Sequence, residues 1–341
     1  MTHDYTFKTY IAKGREYYEY SVDALTWMER NELERHSQPA LIKKDFPFPE
    51  SLLSLLYLDL GTVELLTKKI DKAIREFFSS NDDRYVEEVL AALDELAGIH
   101  VYFELVRLEW RWRFAELKAS GSEDRVGWLP RKRITHIPSN IAEAQRQILD
   151  LFDHALNMDC GNEPLLERMV RYYHSFDTAQ RPDAPREPFK FERQSVRFEA
   201  TDSKTFTDVL YPNQIYDLIS IHLSECVKRE TRLRVCKNCG RYFAIQGRSN
   251  AEYCNRVFDE KGRTCKEMGA IALWTKNKSS DEAFKLYRRE YKKRFAWIKA
   301  GKVLPEEVYA WGERAREKKQ ECEEGRITLE QFERWLRCGV L

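Results

Sequence analysis

The sequence predicts a mainly α fold with a short β-containing connection, and three observations carry that prediction. Apolar residues recur at helical spacing over most of the 341-residue chain. Only 14 Gly and 11 Pro occur, and Pro182, Pro185 and Pro188 crowd into one stretch. Four of the eight cysteines fall within one span near the start of the last third. At 43% hydrophobic and 33% charged residues, the chain can build two or three cored domains and is neither low-complexity nor disordered.

The elements follow in order. Between Pro49 and Phe78, Leu52, Leu53, Leu55 and Leu56, then Leu65, Leu66, Ile70, Ile74 and Phe77, form helical clusters. Asp82 is placed to cap a second helix, whose apolar face opens with Tyr85, Val86 and Val89. The pattern runs on through Leu93, Leu96, Val101, Leu105, Leu108, Trp112 and Leu117, with Gly98 a point for a kink. Asn140 with Glu143 fits a capping box ahead of the stripe Ile141, Ala144, Ile148, Leu151, Phe152 and Ala155. The segment Arg181 to Pro188 then removes backbone donors and ends the helical region. Phe189, Phe191, Val196 and Phe198 alternate with polar residues as a short hairpin or edge strand would. From Val209 to Cys226 the chain is helical again, with Ile215, Leu218, Ile219, His222 and Leu223 on one face. Met1-Thr2-His3-Asp4 has no signal-peptide character, and Leu52 to Leu60, which contains Asp59, is too short for a bilayer. A soluble, cytoplasmic protein is expected.

Charge is unevenly divided. From Lys228 onward there are 28 basic and 17 acidic residues, against 29 and 39 before it. The excess concentrates between Lys228 and Lys299, with 20 basic and 8 acidic residues. A basic half of this kind either meets an external polyanion or is neutralised by the acidic half.

The cysteines give the strongest chemical signal. Cys160, Cys226, Cys322 and Cys338 are scattered and read as buried small hydrophobes or incidental thiols. Cys236, Cys239, Cys254 and Cys265 form the pattern C-x2-C-x14-C-x10-C. A two-residue gap lets both thiolates of a tight knuckle address one ion, and Zn2+ completes its tetrahedron with two more. Gly240 supplies the permissive backbone for the knuckle turn. Tyr242, Phe243 and Ile245 suit a strand leaving it, and Gln246 to Asn250 a turn back toward Cys254. A helix is expected from Cys265, with Met268, Ile271, Ala272 and Trp274 facing inward. Knuckle, hairpin and helix in this order are similar to a treble-clef finger. Arg234, Lys237, Arg241, Arg248, Arg256, Lys261, Arg263 and Lys266 would offset the negative charge of a four-thiolate site. The expected cofactor is a structural Zn2+; the alternative is four reduced structural thiols. Four thiolates leave no position open for a water, and neither HExxH nor a His-x-Glu pair accompanies them. His222 and Cys226, one helical turn apart, are expected to pack in a helix face rather than bind a second ion.

The tail is helical. Phe284, Tyr287, Tyr291, Phe295 and Ile298 form one apolar stripe, and Lys285, Arg288, Arg289, Lys292 and Lys293 lie mainly off it. A weak repeat follows, Gly301 to Trp311 and Gly325 to Trp335, in which each Gly ends one helix and each Trp anchors the next. The division expected is an acidic helical domain over 1–185, a connecting hairpin and helix over 186–230, a zinc finger over 231–275 and a helical tail over 276–341.

From about Val209 onward the chain resembles an uncharacterised bacterial family, a domain of unknown function common in Firmicutes. The resemblance rests on Tyr211-Pro212, Ile219-x-x-His222-Leu223-x-Glu225-Cys226, Cys236-x-x-Cys239-Gly240-x-Tyr242-Phe243, Tyr253-Cys254, Gly262-Arg263-Thr264-Cys265 and the Trp-containing repeats. It implies a zinc-binding module and no established activity. The module is also distantly similar to the CGNR-type finger of bacterial regulators thought to bind DNA, although Cys-Gly-Asn-Arg itself is absent.

Two functional expectations follow. In the first, the protein is a zinc-binding, nucleic-acid-binding or regulatory protein that contacts DNA or RNA phosphates through Arg241, Arg248, Arg256, Lys285, Arg288, Arg289, Lys292 and Lys293. In the second, it is a protein-interaction scaffold whose basic region docks on an acidic partner or on its own N-terminal half. An enzyme is the third and least favoured reading, since no Gly-rich phosphate loop, nucleophile elbow or paired-carboxylate signature occurs, and it stays open to Asp, Glu and His residues of the N-terminal half that converge in space. Neither a membrane partner nor an organic cofactor is expected.

Overall fold

Residues 7 to 21 form a two-stranded hairpin, β1 (Phe7–Ala12) and β2 (Arg15–Ser21), joined by Lys13 and Gly14. Both loop residues have positive φ, 51° and 74°, the geometry that lets a two-residue turn follow the strand twist. In the computed structural model the described residues are 7–21, 41–80, 82–121, 129, 132–177, 185–247, 250–269 and 282–338. Met1 to Asp4, Arg181 to Ala184, Arg248, Ile271, Ala272 and Trp274 therefore lie outside the described residues. By contacts the chain divides into one unit of 1–236 with 240–251, and a second of 237–239 with 252–341.

In the first unit, β3 (Leu41–Pro47) pairs with β2, while β4 (Val196–Asp202) and β5 (Thr205–Leu210) form a second hairpin that pairs with β1 through Thr9 and Tyr10. The result is a five-stranded antiparallel sheet of order β3-β2-β1-β5-β4. This corrects the expectation of a purely helical start with an isolated β connection. The inward positions of β2 are Glu16, Tyr18 and Tyr20, all buried. A strand whose buried face carries a carboxylate and two phenols has no apolar alternation to reveal it.

The same unit contains the helices α1 (Glu50–Leu55), α2 (Leu60–Ser80), α3 (Arg84–Ile99), α4 (Phe103–Ser120), α5 (Ile137–Leu151), α6 (Leu165–Asp177) and α7 (Ile215–Lys228). Leu52, Leu53, Leu55, Ile70, Ile74, Phe77, Val86, Val89, Leu93 and Leu96 share one core with Tyr18, Tyr20, Leu218 and Leu223. Leu65 instead faces outward, and Val63 takes the buried place. Asp82 does accept the backbone N–H of Arg84 at 3.0 Å. The α5 start differs from the expected Asn140 cap: the helix opens at Ile137 with Pro138 in its first turn, where a missing N–H is tolerated. No helix among the described residues is long and apolar enough to cross a membrane.

The second unit contains α8 (Glu282–Lys299), α9 (Pro305–Glu323) and α10 (Leu329–Cys338), packed around Ala283, Trp311, Ala315, Phe332 and Leu336. Gly301 and Gly325, with φ of 66° and 76°, follow helical segments, and the N–H groups of Leu304 and Thr328 are bound by Glu307 and Gln331 at 3.1 and 2.8 Å. Trp311 stacks on Tyr287 and Trp335. The α8 stripe is turned from its expected setting: Phe295 is 40% exposed, and Glu290 and Arg294 are buried instead. Arg294 lies 4.0 Å over the Trp311 ring and donates to Glu290 and to the Leu336 carbonyl, both at 2.7 Å. A guanidinium with these partners is accommodated inside, whereas an unpaired one is not.

Candidate metal centre

The cysteine knuckle grows out of the two-stranded ribbon β6 (Leu233–Val235) and β7 (Tyr242–Ala244), paired Leu233 to Ala244 and Val235 to Tyr242. The ribbon is fastened at its base, where Met158 N–H donates to the Leu233 carbonyl at 2.9 Å and Tyr242 N–H to the Tyr57 hydroxyl at 2.7 Å. Between the strands, Cys236 N–H donates to the Arg241 carbonyl and Gly240 N–H to the Cys236 carbonyl, at 3.0 and 2.9 Å. Gly240 has φ of 70°, a conformation costly for a residue with a Cβ.

The other two ligand positions sit on a second turn. Val257 and Thr264 form an antiparallel bridge, and Phe258 N–H donates to the Arg263 carbonyl at 2.8 Å. Asp259 closes this turn by accepting from the N–H groups of Lys261 and Arg263 at 3.1 and 3.0 Å. The Arg263 guanidinium and the same two N–H groups hold the Asp259 carboxyl below its usual range. Cys265 N–H reaches the Arg256 carbonyl and Lys266 N–H the Cys254 carbonyl, at 2.9 and 3.0 Å, so Cys254 and Cys265 are held side by side. Helical residues 265–269 start there. Thr264 N–H donates to Glu267 at 2.8 Å and Glu267 N–H to the Thr264 hydroxyl at 3.3 Å, a reciprocal cap.

All four sulfurs lie within 4.8 Å of one another. Cys236, Cys254 and Cys265 are buried and Cys239 is half-buried. The Cys239 to Cys254 separation is 3.8 Å, far beyond a disulfide and equal to the edge of about 3.8 Å in a tetrahedron with metal–sulfur bonds of about 2.3 Å. The donor set therefore fits one metal ion. Cys226, whose thiol is pushed up by burial, lies in the apolar core with His222 and outside this group.

An added Cβ on Gly269 would sit 2.2 Å from the Tyr253 ring, next to Cys254. Gly269→Ala is therefore expected to displace that ring and destabilise the finger by about 1–3 kcal/mol. Faster metal transfer to a chromogenic chelator would register the change, and an unchanged transfer rate would count against it.

The basic residues meet different fates. Arg234 holds Asp159 through two 2.8 Å bonds, Lys237 pairs with Glu252 at 2.6 Å, and Arg263 with Asp259 at 2.6 Å. Arg241 lies 5.2 Å over the Tyr57 ring, and Arg256 is half-buried. On α8, Lys285, Arg288, Arg289, Lys292 and Lys293 are all exposed at spacings that share one face. Arg289 reaches Glu333 at 3.3 Å and Lys293 is 3.8 Å from Glu290. Lys285, Arg288 and Lys292 form no ion pair with another described residue.

A second group of titratable side chains, not legible as a motif, lies between β2, α1, the start of α4 and α7. Glu16 accepts the Ser51 N–H at 2.6 Å, and its other oxygen is 3.5 Å from His222 Nε2. His222 Nδ1 donates to the Leu218 carbonyl at 2.6 Å, which leaves Nε2 to accept from the Tyr18 hydroxyl at 3.1 Å. His100 Nε2 donates to the Ser51 carbonyl at 2.9 Å, and its Nδ1 accepts the Tyr102 N–H at 3.2 Å. Burial raises Glu16 to about 8 and lowers His222 and His100 to about 4. Both histidines and Glu16 are thus neutral near pH 7, as groups removed from water without a counter-charge must be. The Glu16-to-His222 separation in sequence hid this cluster; the only local hint was a histidine on an apolar helix face.

No curated protein and no solved structure matches the chain. Residues 188–337, which include all four metal-site cysteines and the α8 basic face, match the model of a family of unknown function (DUF6076).

Proposed function

We propose that the four-cysteine centre holds a structural Zn2+ and that the protein is a nucleic-acid-binding regulator contacting phosphates through its basic C-terminal surface. The observation that carries the metal half is the group of four sulfurs within 4.8 Å. Four thiolates favour Zn2+ in a closed tetrahedron, a site that stabilises a fold and leaves no place for a reacting water. Support for the second half is the exposed α8 face, where Lys285, Arg288 and Lys292 are not engaged by other described residues. Three phosphate contacts give a log–log salt slope of about −3, so affinity for a duplex should fall roughly 40-fold between about 50 and 200 mM salt. Fluorescence anisotropy with labelled DNA and RNA checks this, with Lys285→Glu, Arg288→Glu and Lys292→Glu combined. Binding that ignores salt, or survives the triple reversal unchanged, defeats the nucleic-acid reading and leaves the zinc reading intact.

A scaffold role is the second reading, favoured by the pairing of Arg234, Lys237 and Arg263 with carboxylates of their own unit. Basic side chains used in this way brace the finger and do not offer charge to a partner. Under that reading the α8 face docks on an acidic protein surface, and the same assay shows no nucleic-acid binding.

A further inference from the structure

The outer edge of the sheet carries a feature that the metal centre does not explain. Among the described residues no strand lies beyond β4, whose regular pairing with β5 runs from Val196 to Ala200 before a register shift between Ala200 and Asp202. Edge strands are commonly blunted by charge, proline or a bulge, because their unpaired N–H and C=O groups accept another strand. Here the bulge comes only after five regular residues, and the face beside the open edge exposes large apolar side chains around one carboxylate, Asp208, which lies opposite Phe198 on β5. Phe198 is 69% exposed, Phe206 60% and Val196 40%. The Phe198 and Phe206 rings meet edge-to-face at 4.6 Å.

We propose that β4 pairs with β4 of a second copy, antiparallel and centred on Phe198, joining two sheets across a two-fold axis. The sequence of the strand is self-complementary in that register. Phe198 faces itself, Val196 faces Ala200, and Arg197 faces Glu199 in both directions. Because side chains alternate across a strand, Val196, Phe198 and Ala200 share one face and Arg197 and Glu199 the other. Phe206 lies opposite Ala200 on β5, and Leu210 opposite Val196. The pairing therefore extends one apolar row, Phe206 and Ala200 of one copy to Val196 and Leu210 of the other. On the opposite face Tyr211 preorganises the charged pair: its hydroxyl donates to Glu199 at 2.7 Å and its ring lies 4.7 Å beneath Arg197. Any other register by two residues sets Arg197 or Glu199 against an uncharged residue or its like, which is how the register is chosen.

The test is a charge swap in the full chain, read by light scattering coupled to size exclusion at about 5–200 µM, the range suited to a short interface. Wild type is expected to approach twice the monomer mass at the upper concentrations. Arg197→Glu places Glu against Glu199 twice and is expected to raise the dissociation constant about tenfold or more. Arg197→Glu with Glu199→Arg restores opposite charges and is expected to return it to within about threefold of wild type. Phe198→Glu is expected to leave a monomer. Circular dichroism of each variant confirms that these exposed positions leave the fold intact. A monomeric wild type overturns the proposal, as does a dimer indifferent to Arg197→Glu and Phe198→Glu, or a double swap that fails to restore pairing.

Discussion

Cys254→Ser is expected to empty the metal centre and unfold the finger, with one metal ion per chain falling to about none. Structural zinc in a four-ligand finger contributes an apparent 10–16 kcal/mol, about, near pH 7, more than two short turns and a three-residue ribbon can supply by packing. The readout is local. The N–H groups of Cys236, Gly240, Phe258, Cys265 and Lys266 are hydrogen-bonded within the knuckle and the second turn, and that of Lys237 donates to the Glu252 carbonyl at 3.0 Å. Their hydrogen exchange should accelerate to unprotected rates in the variant, and equally when a strong chelator strips the wild type. Amides of α8 to α10 should keep their protection, since those helices have a core of their own around Trp311 and Phe332. Protection of the finger amides that persists without metal would show that the sulfurs converge for packing alone.

The buried cluster around Glu16 sets the second large effect, a stability maximum near pH 6.5. Glu16 has its folded pKa raised from 4.5 to about 8, so it favours folding fully below its unfolded value and loses that contribution as pH rises toward 8. His222 and His100 are lowered from 6.5 to about 4, so their contribution is present above 6.5 and lost as pH falls toward 4. Between pH 4.5 and 6.5 two histidines outweigh one carboxyl, and stability rises by about 1.4 kcal/mol per unit. Of these three groups only the carboxyl acts above 6.5, and it removes about 2 kcal/mol by pH 8. The groups facing Glu16 are Ser51 on α1, Tyr18 beside it on β2, Tyr102 before α4, and His222 and Cys226 on α7, with Glu50 adding a further negative charge. Glu16→Gln keeps the shape and removes the ionisation, so urea midpoints of that variant should be flat from pH 6.5 to 8. An alkaline decline as steep as that of wild type would place its origin elsewhere. His222→Ala, which leaves a ring-sized void and takes away one of the two partners of the Tyr18 hydroxyl, is expected to cost about 3–5 kcal/mol between pH 6.5 and 8.

The parts of this molecule that were legible in advance are those whose geometry is local. Cys236 and Cys239 share one knuckle, and Cys254 and Cys265 one turn, so spacing pairs the sulfurs two by two, and in the folded chain all four lie within 4.8 Å of one another. The leucine and valine stripes of α2 and α3 read correctly because a helix repeats its buried face every three or four residues, although Leu65 and the α5 cap show where one position of rotation escapes the pattern. On α8 the aromatic stripe misread the buried face by a similar rotation, since a guanidinium satisfied by Glu290, Trp311 and Leu336 displaced Phe295 from the core.

By itself, then, the sequence determined the four-cysteine cluster that could hold a metal, the helical majority and the uneven charge. Only the tertiary structure decided the sheet, which joins residues 7–21 and 41–47 to 196–210, and the neutral acid and histidines beneath it, drawn from positions 16, 100 and 222. The reason is that a buried polar residue is tolerable only once its partners are known. Glu16, Tyr18 and Tyr20 look like surface until Ser51, His222 and Glu104 are seen to satisfy them.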